Sequence, residues 1–327
     1  MKVGSATSVY GLITIFHLAT EQAMPEPIKP PATASQRRPS EAEQEHLNWL
    51  FGNPQPVVLV TGSAADRVGR VIARRFADRG YRVVLHARRS AQEGKDLVAN
   101  WRGEGIDCHL VSGSIEDEGT VRGWIQEILQ RYRRLDVLVH SAAVWEPCKL
   151  EETTAEVIAR QWSSNTLGTF LCAQQAGLAM VRQATGGSIV LVGDWAIRRP
   201  YADFAAYFAS KGSIPTIMRA MAVELAERNP RVRVNAVYPG PVLLDPNTSE
   251  ATQARILEQC LLRCHGTAEH VARAAVFLAE HDFLTGVGLP VDGGRSIYAG
   301  SIADAIAHPS RVGVADTAPT DDPASPA

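Results

Sequence analysis

The stretch VVLVTGSAADRVG, residues 57–69, decides the fold of this chain. Four apolar residues run straight into Thr61 and Gly62, and a further glycine, Gly69, opens a segment with helical spacing. A short strand that is apolar on both faces needs helices covering each side of its sheet. Glycines after such a strand permit a tight turn and the close approach of a pyrophosphate. The N–H groups and dipole of the following helix then favour the negative charge. Glycine in a strand–helix turn can also serve sterics alone, so the pattern of the rest of the chain decides between the two.

Outward from it, short Val/Ile/Leu-rich runs recur at 82–86, 107–111, 136–140, 188–192, 232–238 and 288–292. Helical patterns fall between them, at 69–79, 91–103, 117–132, 154–183, 205–228, 251–262 and 267–280. Alternating buried strands and helices predict an α/β doubly wound parallel sheet (Rossmann-like) in a single domain. In that setting the 61–69 turn is a dinucleotide loop, with Thr61, Gly62, Arg67, Val68 and Gly69 as candidate cofactor contacts. The domain is expected over 55–306. Residues 24–40 carry five prolines, a linker composition, so 1–54 is expected to be a poorly ordered extension and 307–327, rich in Pro, Ala and Asp, a disordered tail.

Composition excludes several functions. The chain has 327 residues and a formal net charge of -2, which gives no electrostatic case for nucleic-acid binding. The apolar run 9–19 is too short to span a membrane, and its single preceding Lys2 makes a thin basic region for a secretion signal. Five scattered cysteines do not form a secreted disulfide framework. Cys260 and Cys264 share a helix face with His265 close by, but no second ligand pair occurs at a useful spacing. They read as small buried side chains, and no metal is expected.

The second strand ends in His86, Ala87, Arg88, Arg89 and Ser90, with no carboxylate before Glu93. An NAD site generally places an acid here against the ribose hydroxyls. Two arginines and a serine suit a 2′-phosphate instead, because guanidinium matches phosphate oxygens in a fork. With Arg67 in the first loop, the expected cofactor is NADPH, and a reduced nicotinamide in turn favours a cytoplasmic location.

Tyr207 and Lys211 lie four apart in a helical segment and share a face. A free tyrosine, with a pKa of about 10, is a poor acid–base group at neutral pH. A neighbouring ammonium and a nicotinium charge would favour its phenolate. The ordered set Thr61-Gly62…Gly69, Asn165 in NTLGTF, Tyr207-x-x-x-Lys211, Pro239-Gly240 and Asp292-Gly293-Gly294 resembles the short-chain dehydrogenase/reductase family over nearly the whole body. The resemblance implies that Tyr207 transfers the proton, Lys211 holds the nicotinamide ribose and lowers the tyrosine pKa, and Asn165 anchors a water in the proton path. It adds Ser141, Ala142, Ala143, Pro239 and Gly240 as cofactor contacts. It also implies a homo-oligomer, tetramer or dimer, acting on a small-molecule substrate.

The departures from that pattern carry the finer reading. Asp194 stands thirteen residues before Tyr207, where the family usually has a serine. Together with Arg67, the His86–Ser90 run and Trp145, it resembles the pteridine reductases. That likeness implies that Asp194, Trp145 and Tyr207 hold a pterin: a carboxyl group can bond the amide-like edge of the ring, and an indole can stack on its plane. Asp194 is equally well placed to cap a helix or pair with Arg198 or Arg199, and Trp145 to be a core or lid aromatic. The glycine loop is one residue longer than the family's, His140-Ser141-Ala142-Ala143 replaces Asn-Asn-Ala-Gly, and Ser114 stands where an adenine-contacting aspartate often falls. Three functions remain open: pterin or dihydropterin reduction, reduction of a ketone such as a 3-oxoacyl group, and non-catalytic NADP sensing. Residues 241–262 are expected to form a substrate lid.

Overall fold

The structure, a computed structural model, describes residues 39–243 and 248–298. Seven parallel strands lie in the order β3-β2-β1-β4-β5-β6-β7: β1 Val57–Thr61, β2 Arg82–Ala87, β3 Cys108–Ser112, β4 Val137–His140, β5 Gly187–Val192, β6 Val232–Pro239 and β7 Gly288–Val291. All seven expected strands are present, each within about a residue of its sequence bounds. The order reverses between β1 and β4, where Val58 pairs with Val83 on one side and Val137 on the other. An open sheet of this kind offers its ligand crevice beyond the strand C-termini at such a switch point.

The period-two alternation along β1 splits the core into two layers. Val57 and Leu59 face helices α4 (Glu118–Tyr132), α6 (Gly168–Met180) and α8 (Ile214–Ala226). Val58 and Val60 face α2 (Val68–Asp78), α3 (Ala91–Gly103) and α10 (Ala268–Glu280). Both faces of the sheet are buried, as its unbroken apolar strands require.

Two expected helices are broken. The segment read as 154–183 is α5 (Ala155–Trp162), a π-helical turn over Ser163–Leu167, and α6. The segment read as 205–228 is α7 (Ala205–Lys211) and α8, because Pro215, in the first turn of α8, lacks the N–H that a continuous helix would need.

The expected disorder through residue 54 is corrected in part. Residues Glu41–Phe51 form α1, which buries Leu47 and Phe51 in the second core layer. Its local signals are a capping box, in which Glu43 N–H donates to Ser40 Oγ and Ser40 N–H to the Glu43 carboxylate, and Gly52 in the left-handed region at φ 63°. The proline content upstream masked these signals. The expectations for 1–38 and for the tail 307–327 lie outside the described residues. The expected lid segment contains α9 (Glu250–Glu258). No helix among the described residues is long and apolar enough to cross a membrane.

Candidate active site

A cleft of about 720 Å³ opens at the switch point, within the range of ligand pockets. The ends of β1, β2, β4, β5 and β6 contribute Gly62, His86, Ser141, Val192 and Pro239 to its walls. Most residues proposed from sequence line it: Arg67, Val68, Gly69, Arg88, Arg89, Ser90, Ala142, Ala143, Trp145, Tyr207 and Lys211. Thr61, Asn165, Asp194 and Gly240 are not in the lining. Thr61, Asn165 and Asp194 bond residues that are, while Gly240 N–H donates to the Val291 carbonyl, away from the cleft.

The glycine loop is as tight as the sequence implies. Gly62 sits at φ 68°, and a Cβ there would come within 2.9 Å of the Ala142 backbone. A Cβ on Gly69 would meet the Gly62 carbonyl at 2.6 Å. The extra residue in the loop is accommodated without loss of the helix start, since Arg67 takes the N-cap position of α2 in an extended conformation.

His86 has a different role from that of a direct phosphate ligand. Gly62 N–H donates to its Nδ1 at 3.0 Å, so Nε2 carries the hydrogen and donates to the Gly113 carbonyl at 3.1 Å. Burial pushes its pKa down to about 4, leaving a neutral ring that ties the loop to β3. Charge at this end comes from the arginines. Arg88 pairs with Glu116 at 3.3 Å, while Arg67 and Arg89 are exposed at the cleft without an ion-pair partner among the described residues. This donor set, above a loop too tight for side chains, fits the phosphates of a dinucleotide. Ser114, read as the adenine position, does not line the cleft; its neighbours Ile115 and Glu116 do.

At the other end, Tyr207 is 4% exposed and its hydroxyl donates to Asp194 Oδ2 at 2.7 Å. The second carboxylate oxygen accepts Ala196 N–H at 2.8 Å, capping the short turn Trp195–Ile197. The capping alternative for Asp194 is therefore realised, alongside the tyrosine contact. Arg198 and Arg199 do not pair with it, and Arg199 reaches the Arg295 carbonyl instead. Burial raises the Tyr207 pKa, and the Asp194 charge and hydrogen bond raise it further. Lys211 is buried and donates to the Val192 carbonyl at 2.9 Å; burial lowers its pKa to about 8, against the opposing pull of Asp194. In this arrangement the tyrosine's electrostatic partner is the carboxylate, which keeps it protonated.

Asn165 lies in the π-helical turn, a distortion that often marks functional positions. Its side chain pairs with Val144 in both directions, Val144 N–H to Oδ1 at 2.9 Å and Nδ2 to the Val144 carbonyl at 3.0 Å. It also donates to Ser210 Oγ at 2.9 Å, one residue before Lys211. Trp145 is 59% exposed at the cleft and stacks on Phe204 with centroids 4.9 Å apart, which makes it a wall rather than a core aromatic. Glu146, Arg160, Ser163, Ser164 and Leu243 also line this end. Of these the sequence anticipates only Leu243, as part of the expected lid; Glu146 lies in a loop, Ser163 and Ser164 in the π-helical turn, and Arg160 on α5, whose period does not show which face meets the cleft.

A family model described as enoyl-(acyl carrier protein) reductase matches residues 62–296. The chain belongs to the short-chain dehydrogenase/reductase family. It is 34% identical over 230 residues to bovine 3-oxoacyl-[acyl-carrier-protein] reductase, covering 70% of this chain and 94% of the relative. The 3-oxoacyl-[acyl-carrier-protein] reductase FabG of Staphylococcus aureus (strain Mu50) is 31% identical over 247 residues, covering 72% and 96%. An uncharacterized oxidoreductase of Escherichia coli K12, YgfF, is 31% identical over 251 residues, covering 73% and 99%. Among solved structures, a putative gluconate dehydrogenase from Agrobacterium tumefaciens superposes with a TM-score of 0.70 at 25% identity, over 76% of this chain and 97% of that one. The protein is thus an oxidoreductase of a family whose reductases use NAD(P)H. None of these relatives is named as a pteridine reductase.

Cys260 is buried and donates to the Ile256 carbonyl, while Cys264 is half-buried. Among the described residues no cluster of three or more His, Cys, Asp or Glu is arranged to hold a metal ion.

Proposed function

We propose that this chain is an NADPH-dependent reductase acting on the C=N bond of a pterin or dihydropterin. The observation that carries the reading is the 2.7 Å contact between the Tyr207 hydroxyl and the Asp194 carboxylate. Reducing a ketone builds negative charge on its oxygen, and a carboxylate beside that oxygen repels it. A C=N nitrogen is more basic than a ketone oxygen and takes its proton before or with the hydride, so less negative charge collects beside the carboxylate. Tyr207, protonated across the neutral range, is the group placed to supply that proton; because burial and Asp194 make it a weak acid, the Lys211 ammonium one turn along α7 must stabilise the phenolate left behind.

The other residues take their roles from this reading. Arg67 and Arg89, joined by Arg88 when it leaves Glu116, take the 2′-phosphate. Gly62, Val68, Gly69, Ser90, Ser141, Ala142, Ala143, Pro239 and Gly240 shape the cradle directly or through their neighbours. When bound, the nicotinamide supplies the hydride. Lys211 holds its ribose, and Asn165 ties the 141–144 wall to the helix bearing Tyr207 and Lys211. Trp145, backed by Phe204, supports the planar ring, and Asp194 acts on it through the Tyr207 hydroxyl. Location in the cytoplasm and assembly into a dimer or tetramer are part of the proposal.

The relatives favour a second reading, reduction of a 3-oxoacyl thioester, and by sequence similarity alone it stands ahead. Turnover decides between the two. The purified chain with NADPH is offered 7,8-dihydrobiopterin and, separately, acetoacetyl-CoA. Oxidation of NADPH with the pterin supports the first reading. Turnover of the thioester without turnover of the pterin refutes it in favour of the second.

A further inference from the structure

His140, at the end of β4, is 1% exposed and stands where the family pattern has asparagine. It forms no part of the cleft wall, yet its bonds lead there. Thr61 Oγ1 accepts the N–H groups of Ser141 at 3.0 Å and Ala142 at 3.1 Å. A hydroxyl oxygen has two lone pairs, and both are then used. Its hydrogen must point to the third neighbour, His140 Nδ1, at 3.1 Å. That count fixes the tautomer, with Nδ1 bare and the hydrogen on Nε2.

His140 Nε2 is buried and has no hydrogen-bond partner. A buried donor left unpaired is unfavourable, so the ring is not placed there for its own satisfaction. What it supplies is an acceptor for Thr61. Burial, with the Lys211 charge adding to it, pushes its pKa down to about 3 and preserves that acceptor through the neutral range.

We infer that His140 is a positioning residue for the bound dinucleotide, acting through the Thr61 hydroxyl; the inference rests on the cofactor reading above. With its hydrogen committed to His140, Thr61 is held with both lone pairs towards β4. The Ser141 and Ala142 amides turn away from the cleft, and Ala142 presses against the Gly62 turn with no room for a Cβ between them. At the far end of the same wall, Asn165 grips Val144. Residues 141–144 are thus clamped at both ends, between the glycine loop and the helix carrying Tyr207 and Lys211. Loss of the His140 acceptor frees the Thr61 rotamer and lets the wall shift against the loop.

The test is equilibrium binding of NADPH and NADH to the full chain, together with steady-state kinetics. His140→Leu is expected to weaken dinucleotide binding by about tenfold, the worth of roughly one hydrogen bond, with kcat at saturating cofactor within about twofold. In His140→Asn the side-chain oxygen accepts the same hydroxyl, so binding should return to within about threefold of wild type. Thr61→Val, which also strips the acceptor from the Ser141 and Ala142 N–H groups, should lose at least as much as His140→Leu, and the double variant no more than Thr61→Val alone. Unchanged binding in His140→Leu, additive losses in the double variant, or a failure of His140→Asn to recover would each overturn the inference. Should His140→Leu not fold, the same cycle is run with His140→Asn and Thr61→Val, and wild-type binding by Thr61→Val overturns it. The clamp acts on whichever dinucleotide the wild type holds. A wild type that prefers NADH overturns the NADP assignment alone, and the comparison is then made with NADH.

Discussion

Asp194→Asn removes one negative charge 2.7 Å from the Tyr207 hydroxyl while keeping an amide oxygen that can accept the same bond. Two unit charges about 4 Å apart interact by about 4 kcal/mol at an effective dielectric of about 20. Asp194 is partly open to solvent, which screens that interaction. Its charge raises the pKa of Tyr207, after burial, and also opposes the burial that lowers Lys211 to about 8. Both effects have one sign: without the charge, each group loses its proton at lower pH. The alkaline limb of kcat/KM is therefore expected to move down by about one to two pH units, at 1.36 kcal/mol per unit. The assay is the pH profile of NADPH oxidation with dihydrobiopterin and, in parallel, with acetoacetyl-CoA. An alkaline limb that stays in place or moves up would refute the electrostatic role given to Asp194. Asp194→Ser, which restores a hydroxyl, should raise thioester turnover relative to pterin turnover. A fall in both by the same factor would sink the argument against a ketone.

Arg89→Ala should remove one charge-assisted phosphate contact, worth about 1.5–3 kcal/mol, and so raise the KM for NADPH roughly 10- to 100-fold while leaving that for NADH nearly unchanged. An equal effect on both cofactors would argue against a 2′-phosphate site. His86 and His140 are pushed down to about 4 and about 3, so the unfolded chain takes up their protons first. Their contribution to stability is complete above pH 6.5 and is lost as pH falls towards those values. At pH 5 the pair should have cost up to about 4 kcal/mol, which denaturant titrations at pH 7 and pH 5 would measure; a pH-independent midpoint would contradict it. Leu47→Ala in α1 should cost about 2–4 kcal/mol, read as a lower melting temperature, because the side chain is fully buried in the second core layer. A change below about 0.5 kcal/mol would mean that α1 does not dock in solution.

The amino-acid order alone was enough for the architecture and for most of the cofactor end of the cleft, but not for the wall around Glu146, Arg160 and Ser163. Seven apolar runs at helix-separated intervals admit little besides a parallel sheet covered on both faces, because an exposed apolar face would be unfavourable. The VVLVTGSAADRVG stretch located the switch point, and helical periodicity placed Tyr207 and Lys211 on one face. Periodicity could not show the π-helical turn around Asn165 or the break before Pro215, since both arise within a continuous apolar pattern. Nor did it reveal α1, whose worth depends on a core it meets only after folding. Which partner each polar atom takes was settled only by tertiary structure. Asp194 lies thirteen residues from Tyr207 along the chain, and only the return of α7 over the end of β5 brings its carboxylate to the hydroxyl. His86 and His140, ionisable side chains whose state the sequence leaves open, become neutral hydrogen-bonding groups in the fold, because burial disfavours the charged ring and the neighbouring donors choose its tautomer.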